Sequence, residues 1–192
     1  MVKRTGFACA LAAVVAVGAA QAQVNPAQTT PAQPADPLSA GAKRTYEIMK
    51  GYITRAAEKM PEEHYAFKPT PEVRSFGQLV GHLADAQYGF CAGAAGETPP
   101  MGGFGGTTSI EKTQTAKADL QKALADAFVY CDKVHAGMTD KGGAAIVKFF
   151  TGEMAKLSIL EFNTHHNFEH YGNMVTYMRL KGLVPPSSEP RK

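Results

Sequence analysis

The sequence predicts an all-α domain, a four-helix bundle, spanning residues 37–188. Three observations point there. Four segments repeat apolar residues at i, i+3, i+4 and i+7. Each segment is bounded by proline, glycine or a capping residue. No segment alternates apolar and polar residues between turn signals, and four amphipathic helices with short connections read as a bundle. The chain has 192 residues, enough for one domain with a hydrophobic core and too few for two.

The first helix is expected over 38–60. Asp36 and Pro37 supply an N-cap and a first-turn proline, Tyr46, Met49, Ile53 and Ala57 repeat at helical spacing, and Pro61 stops the run. Residues 61–74 hold three prolines and form an irregular connection. Arg74 or Ser75 opens the second helix, with Phe76, Leu79, Val80, Leu83 and Ala86 on one face. Residues 93–108 then carry six glycines, two prolines and no period, which marks a functional or mobile loop. The third helix is read over 110–135, with Leu120, Leu124, Ala127, Phe128 and Cys131 in register. Gly142-Gly143 breaks the chain. The fourth helix is read from Thr151 or Gly152 to Leu180, with Gly182 as its C-terminal glycine and Pro185-Pro186 preventing continuation.

The N-terminus has the pattern of a secretory signal over residues 1–22: Lys3 and Arg4, an apolar run over 7–20, and Ala20-Gln21-Ala22 before a mature start at Gln23. The run is shorter than the roughly 20 residues of a membrane span, and no later segment is apolar enough to be one. Residues 23–36 are a Pro/Ala/Gln/Thr linker, and 189–192 a short tail. The expected location is therefore the periplasm or the medium, with no membrane contact after cleavage. Removing Lys3 and Arg4 lowers the formal charge from +3 to about +1 (3 − 2), without a basic stripe. Nucleic acid is thereby excluded as a main partner. Cys91 and Cys131 survive cleavage and are either one bridge or two buried thiols. A homodimer is left open.

The chemistry concentrates in HHNFEH, residues 165–170. At 100° per residue, His166 and His170 lie about 40° apart on one helix face, whereas His165 lies roughly 100° from His166. Two such imidazoles can share one metal ion. Asn167 follows His166 where the zinc-protease pattern requires glutamate, so that reading fails. A third ligand is needed, from His64, His82, His135, Asp85 or Glu169. Glu169 points away from the pair, while His64 and His135 fall at helix ends, where a solvated imidazole is expected. His82 lies in mid-helix on a polar stripe with Ser75, Gln78 and Asp85. Asn163 and Tyr177 lie on the same side of the last helix as the histidine pair and either line the mouth of a site or are polar surface residues. No nucleophile elbow, phosphate loop or dinucleotide fingerprint is present.

The segments RSFGQLVGHLADAQYGFC (74–91), HNFEHYGNMVTYMRLKGLVPPSS (166–188), MPEEHYAFKPTPEVRSF (60–76) and the third helix around ADLQKAL resemble the DinB/YfiT-like family, across nearly all of 37–188. The resemblance implies a four-helix bundle holding one divalent metal, most often zinc or nickel. Its ligands are one histidine on the second helix and two at i, i+4 on the last. The matching positions here are His82, His166 and His170. It further implies a metal-dependent enzyme of hydrolase or transferase type with a small-molecule substrate, its catalytic residues unidentified. The alternative is a non-catalytic metal-binding or partner-binding protein. Asp85, one turn beyond His82, would either hydrogen-bond a ligand imidazole or stand exposed. The leader and the glycine-rich loop depart from many relatives. Thiol-dependent relatives use a cytoplasmic thiol pool that an exported chain does not meet.

Overall fold

In a computed structural model of the chain, the structure describes residues 34–104 and 108–190. Residues 1–22, read from the sequence as a signal, and most of the expected 23–36 linker lie outside the described residues. Helix α1 (Pro37–Lys59) starts at Asp36 and Pro37, as expected, yet Asp36 makes no side-chain cap. Asp140 caps the helix instead. Its carboxylate accepts the N–H groups of Leu38 and Ser39 and the Ser39 hydroxyl, while Asp36 accepts the Asp140 N–H in return. Helix α2 (Phe76–Ala95) opens on a capping box, Ser75 accepting from Gln78 N–H and the Gln78 side chain from Ser75 N–H. It ends at Gly96 with φ 80°, a left-handed conformation suited to glycine.

The expected third helix is two helices. A single turn, α3 (Ile110–Thr113), breaks at extended Gln114, and α4 (Lys117–Gly137) follows. After the one-turn α5 (Asp140–Gly143), residues 146–155 form a hairpin that the sequence reading missed. Strand β1 (Ile146–Phe149) pairs antiparallel with β2 (Gly152–Ala155), Phe149 opposite Gly152. The last helix, α6 (Lys156–Leu180), therefore begins later than Thr151, and Gly182 (φ 73°) follows its end.

α1, α2, α4 and α6 make the four-helix bundle. α1 and α2 each pack against both α4 and α6, so they sit on opposite corners. The core is built from Tyr46, Met49 and Ile53 of α1, Leu83 and Phe90 of α2, Leu120, Leu124 and Phe128 of α4, and Ile159, Met174 and Met178 of α6. α2 was expected to bury one face. Only Gln78, His82, Gly93 and Ala95 of it escape full burial, because α3, the 97–104 segment and the hairpin cover the face a bare bundle would leave open.

A Cys91–Cys131 disulfide, Cα atoms 5.4 Å apart, ties α2 to α4. This decides between the two cysteine readings. Beside it runs a buried amide ladder: Asn163 donates to Gln87 Oε1 at 2.8 Å, and Gln87 donates to Asn167 Oδ1 at 2.7 Å. Asn163 thus faces the core, not a site mouth. Among the described residues, no helix is long and apolar enough to cross a membrane.

Candidate metal centre

His82 sits midway along α2, and His166 and His170 lie one turn apart on α6. Packing α2 against α6 brings the three rings together. His166 Nε2 is 3.1 Å from His82 Nε2 and 3.0 Å from His170 Nε2. Among the described residues this is the single group of three or more His, Cys, Asp or Glu side chains close enough to share an ion.

Charge and tautomer decide what the cluster can hold. Burial pushes the His82 imidazole down to about 4, helped by Arg74 and His170. Burial pushes His166 down to about 3, with His170 and His82 adding to it, and also lowers His170. All three rings are neutral at pH 7. Glu111, the second residue of α3, places Oε2 3.1 Å from His82 Nδ1. A carboxylate can only accept, so the His82 proton lies on Nδ1 and its Nε2 presents a bare lone pair to the other rings. A cation shared with His166 and His170 would take up that lone pair, in place of the ring-to-ring hydrogen bonds that the 3.0 and 3.1 Å spacings otherwise allow. Nitrogens about 2.0 Å from a tetrahedral ion stand about 3.3 Å apart, close to the two spacings about His166 Nε2. Three neutral imidazoles at this spacing, one with its proton turned outward onto a carboxylate, fit a divalent ion.

The surroundings show how α3 serves the centre. Asp85 accepts from Ile110 N–H at 2.8 Å and Glu111 N–H at 3.0 Å, capping α3 from α2. It is buried, and burial pushes its carboxyl up although the N–H bonds oppose the shift. Both earlier readings of Asp85, as imidazole partner or exposed acid, are therefore replaced. Gly81 makes the approach possible, since a Cβ there would come within 2.7 Å of Glu111 Cα. Arg74 Nε donates to Glu111 Oε1 at 2.8 Å, and Tyr177 donates to the Arg74 carbonyl at 2.8 Å. Tyr177 is thus an anchor for Arg74's backbone. Glu111 escaped the sequence reading because no helical register links it to His82; the only cue was an acid two residues after Ser109 at a helix start.

The remaining candidates lie elsewhere. Glu169 and His165 are exposed, and His64 is half-buried beside the α1–α2 connection. His135 was expected in solvent but is buried and stacked on Tyr46, ring centroids 4.1 Å apart. Phe90 packs on His166 at 5.4 Å. Two buried imidazole nitrogens, His166 Nδ1 and His135 Nε2, have no hydrogen-bond partner.

Known proteins share this architecture. A DinB-like protein from Bacillus cereus superposes with a TM-score of 0.65 at 19% identity, covering 77% of this chain and 95% of its own. A DinB-like protein from Bacillus subtilis, YjoA, gives 0.62 at 19%, covering 79% and 99%. A mutant of the mycothiol-dependent maleylpyruvate isomerase gives 0.58 at 11%, covering 71% and 60%. At such identities the likeness establishes the fold. No curated protein matches the chain. The DinB superfamily model matches residues 45–174, more than half the chain and inclusive of all three histidines. The chain belongs to the DinB superfamily.

Proposed function

We propose that this chain is an exported metalloprotein in which His82, His166 and His170 hold one divalent ion, zinc or nickel, that works on a small molecule in a hydrolase-type or transferase-type reaction. The observation that carries the reading is the convergence of three neutral imidazoles beside a cleft of about 460 Å³. His82, Arg74, Asp85, Phe104 and Glu111 lie on its walls, so one of the three ligands, His82, borders space for a substrate. A bound ion would supply Lewis acidity and a bound water of lowered pKa. The protein's own part is to hold the ligands. Glu111 fixes the His82 tautomer, Arg74 and Asp85 hold Glu111, and burial keeps the imidazoles deprotonated. Export is supported by the leader pattern and by the Cys91–Cys131 bridge, since such bonds persist outside the cytoplasm. Outside the cytoplasmic thiol pool, water is the favoured co-reactant.

The rival reading is a structural or cargo metal with four filled positions. Relaxation of solvent protons by the Co²⁺-loaded protein separates the two. Catalysis requires enhanced relaxation from an exchangeable water on cobalt. One equivalent of cobalt with no enhancement would leave a structural ion and remove the catalytic reading.

A further inference from the structure

The His166 ring is the inner end of a continuous aromatic wall. Phe90 packs on it at 5.4 Å, then touches Phe104 at 4.7 Å and Phe162 at 5.4 Å. Phe149 and Phe150 extend the wall, Phe150 lying 4.8 Å from Phe104 and 4.3 Å from Phe149. Exposure grades along it: Phe90 is 2% exposed, Phe104 42% and Phe150 64%.

Local structure seats these rings deliberately. Ala86, Gly89 and Gly93 follow His82 along one face of α2, at i+4, i+7 and i+11. Phe104 lies directly over Gly89 and Phe149 over Gly93, so a Cβ at either glycine would collide with a ring. Phe150 occupies the hairpin turn with φ 50°, a region that is strained for a bulky residue. Glycine would relax that turn but remove the ring. Phe104 and His82 also share the 460 Å³ cleft.

Resting on the metal-centre reading above, we propose that this wall binds the substrate: a small molecule with a planar apolar group, aromatic or conjugated, that stacks on Phe104 and Phe150 while its polar end meets the ion. Continuity favours this occupant over a lipid surface, because the rings start at a ligand imidazole and one of them shares the cleft with another ligand. Half-open aromatic rings offer an apolar partner both buried area and offset or edge-to-face geometry.

Two hydroxamates with one metal-binding head test it on the Co²⁺-loaded protein, binding being read from the cobalt absorption bands. Benzohydroxamate should bind roughly tenfold or more tighter than acetohydroxamate. The preference should collapse toward unity in Phe104→Ala and shrink in Phe150→Ala, with cobalt stoichiometry and acetohydroxamate affinity retained. Equal affinities in the wild type, or a preference that survives both substitutions, would overturn the proposal. If neither hydroxamate perturbs the bands of a fully loaded centre, the open-metal reading itself fails and takes the wall's role with it. Sedimentation with phosphatidylglycerol vesicles that is lost in Phe150→Ala would assign the rings to a lipid surface and likewise overturn it.

Discussion

Two parts of this bundle bury histidine, and they do so to opposite ends. At the α2–α6 seam, His82, His166 and His170 converge, and Glu111 holds the proton of one ring away from the others. At the α1–α4 seam, His135 stands alone, stacked on Tyr46, whose hydroxyl bonds to Asp132 and the Phe128 carbonyl. Both regions depress imidazole basicity by desolvation: His135 is pushed down to about 4, as His82 is. His135 even lies in the last turn of α4, where the helix dipole favours a cation by up to about 2 kcal/mol, and burial still prevails. A buried, neutral histidine is thus no evidence of a site. Convergence of several, with one tautomer fixed by a carboxylate, is what distinguishes the candidate metal centre from the packing.

The largest way to sharpen this contrast is through the disulfide, which joins α4 near His135 to α2 beyond His82. Its 40-residue separation implies a loss of about 4 kcal/mol on removal. Denaturant unfolding of Cys91→Ala/Cys131→Ala should show that loss. Metal affinity should fall less than in the Glu111 variant below, since the ligands lie on α2 and α6. A collapse of metal binding would mean that the two regions are one coupled unit.

Next is pH. The folded-state value of His135, about 4, lies below its unfolded value near 6.5. Its contribution is therefore complete above pH 6.5 and is lost as pH falls through 4, amounting to about 3 kcal/mol at most. Urea unfolding of metal-free wild type and His135→Leu should diverge least at pH 4 and most above 6.5 in this term. The metal-site histidines contribute with the same sign to both proteins and cancel in the difference. Parallel pH curves would show that His135 does not titrate on unfolding.

Much of this was legible in the chain, and what was missed has physical causes. His166 and His170 declare themselves by i, i+4 spacing. His82 needed the family resemblance, because nothing in one helix's periodicity says which neighbour it will meet. His135 was misread because position near a helix end says nothing of the Tyr46 ring that covers it. The hairpin strands are four residues each, too short to alternate visibly, and their turn puts phenylalanine where glycine is usual. Glu111 and Asp85 act across the glycine-rich segment, a link with no period at all.

A smaller effect tests that link. Glu111→Ala should weaken metal binding roughly 10- to 100-fold while leaving one site at saturation, as titration with Zn²⁺ against a chelator would measure. The smallest is Asp85→Asn, which loosens α3. It should lower stability by about 1 kcal/mol and weaken the metal less than Glu111→Ala does. The reverse ranking would mean that Asp85 touches the ion directly.

Elemental analysis of the purified protein beside His166→Ala and His135→Ala, each after incubation with Zn²⁺ or Ni²⁺ and desalting, tests the central claim most directly. The account requires about one equivalent of metal in the wild type and in His135→Ala, and none in His166→Ala. Equal metal in all three, or none in the wild type, would contradict the three-histidine centre.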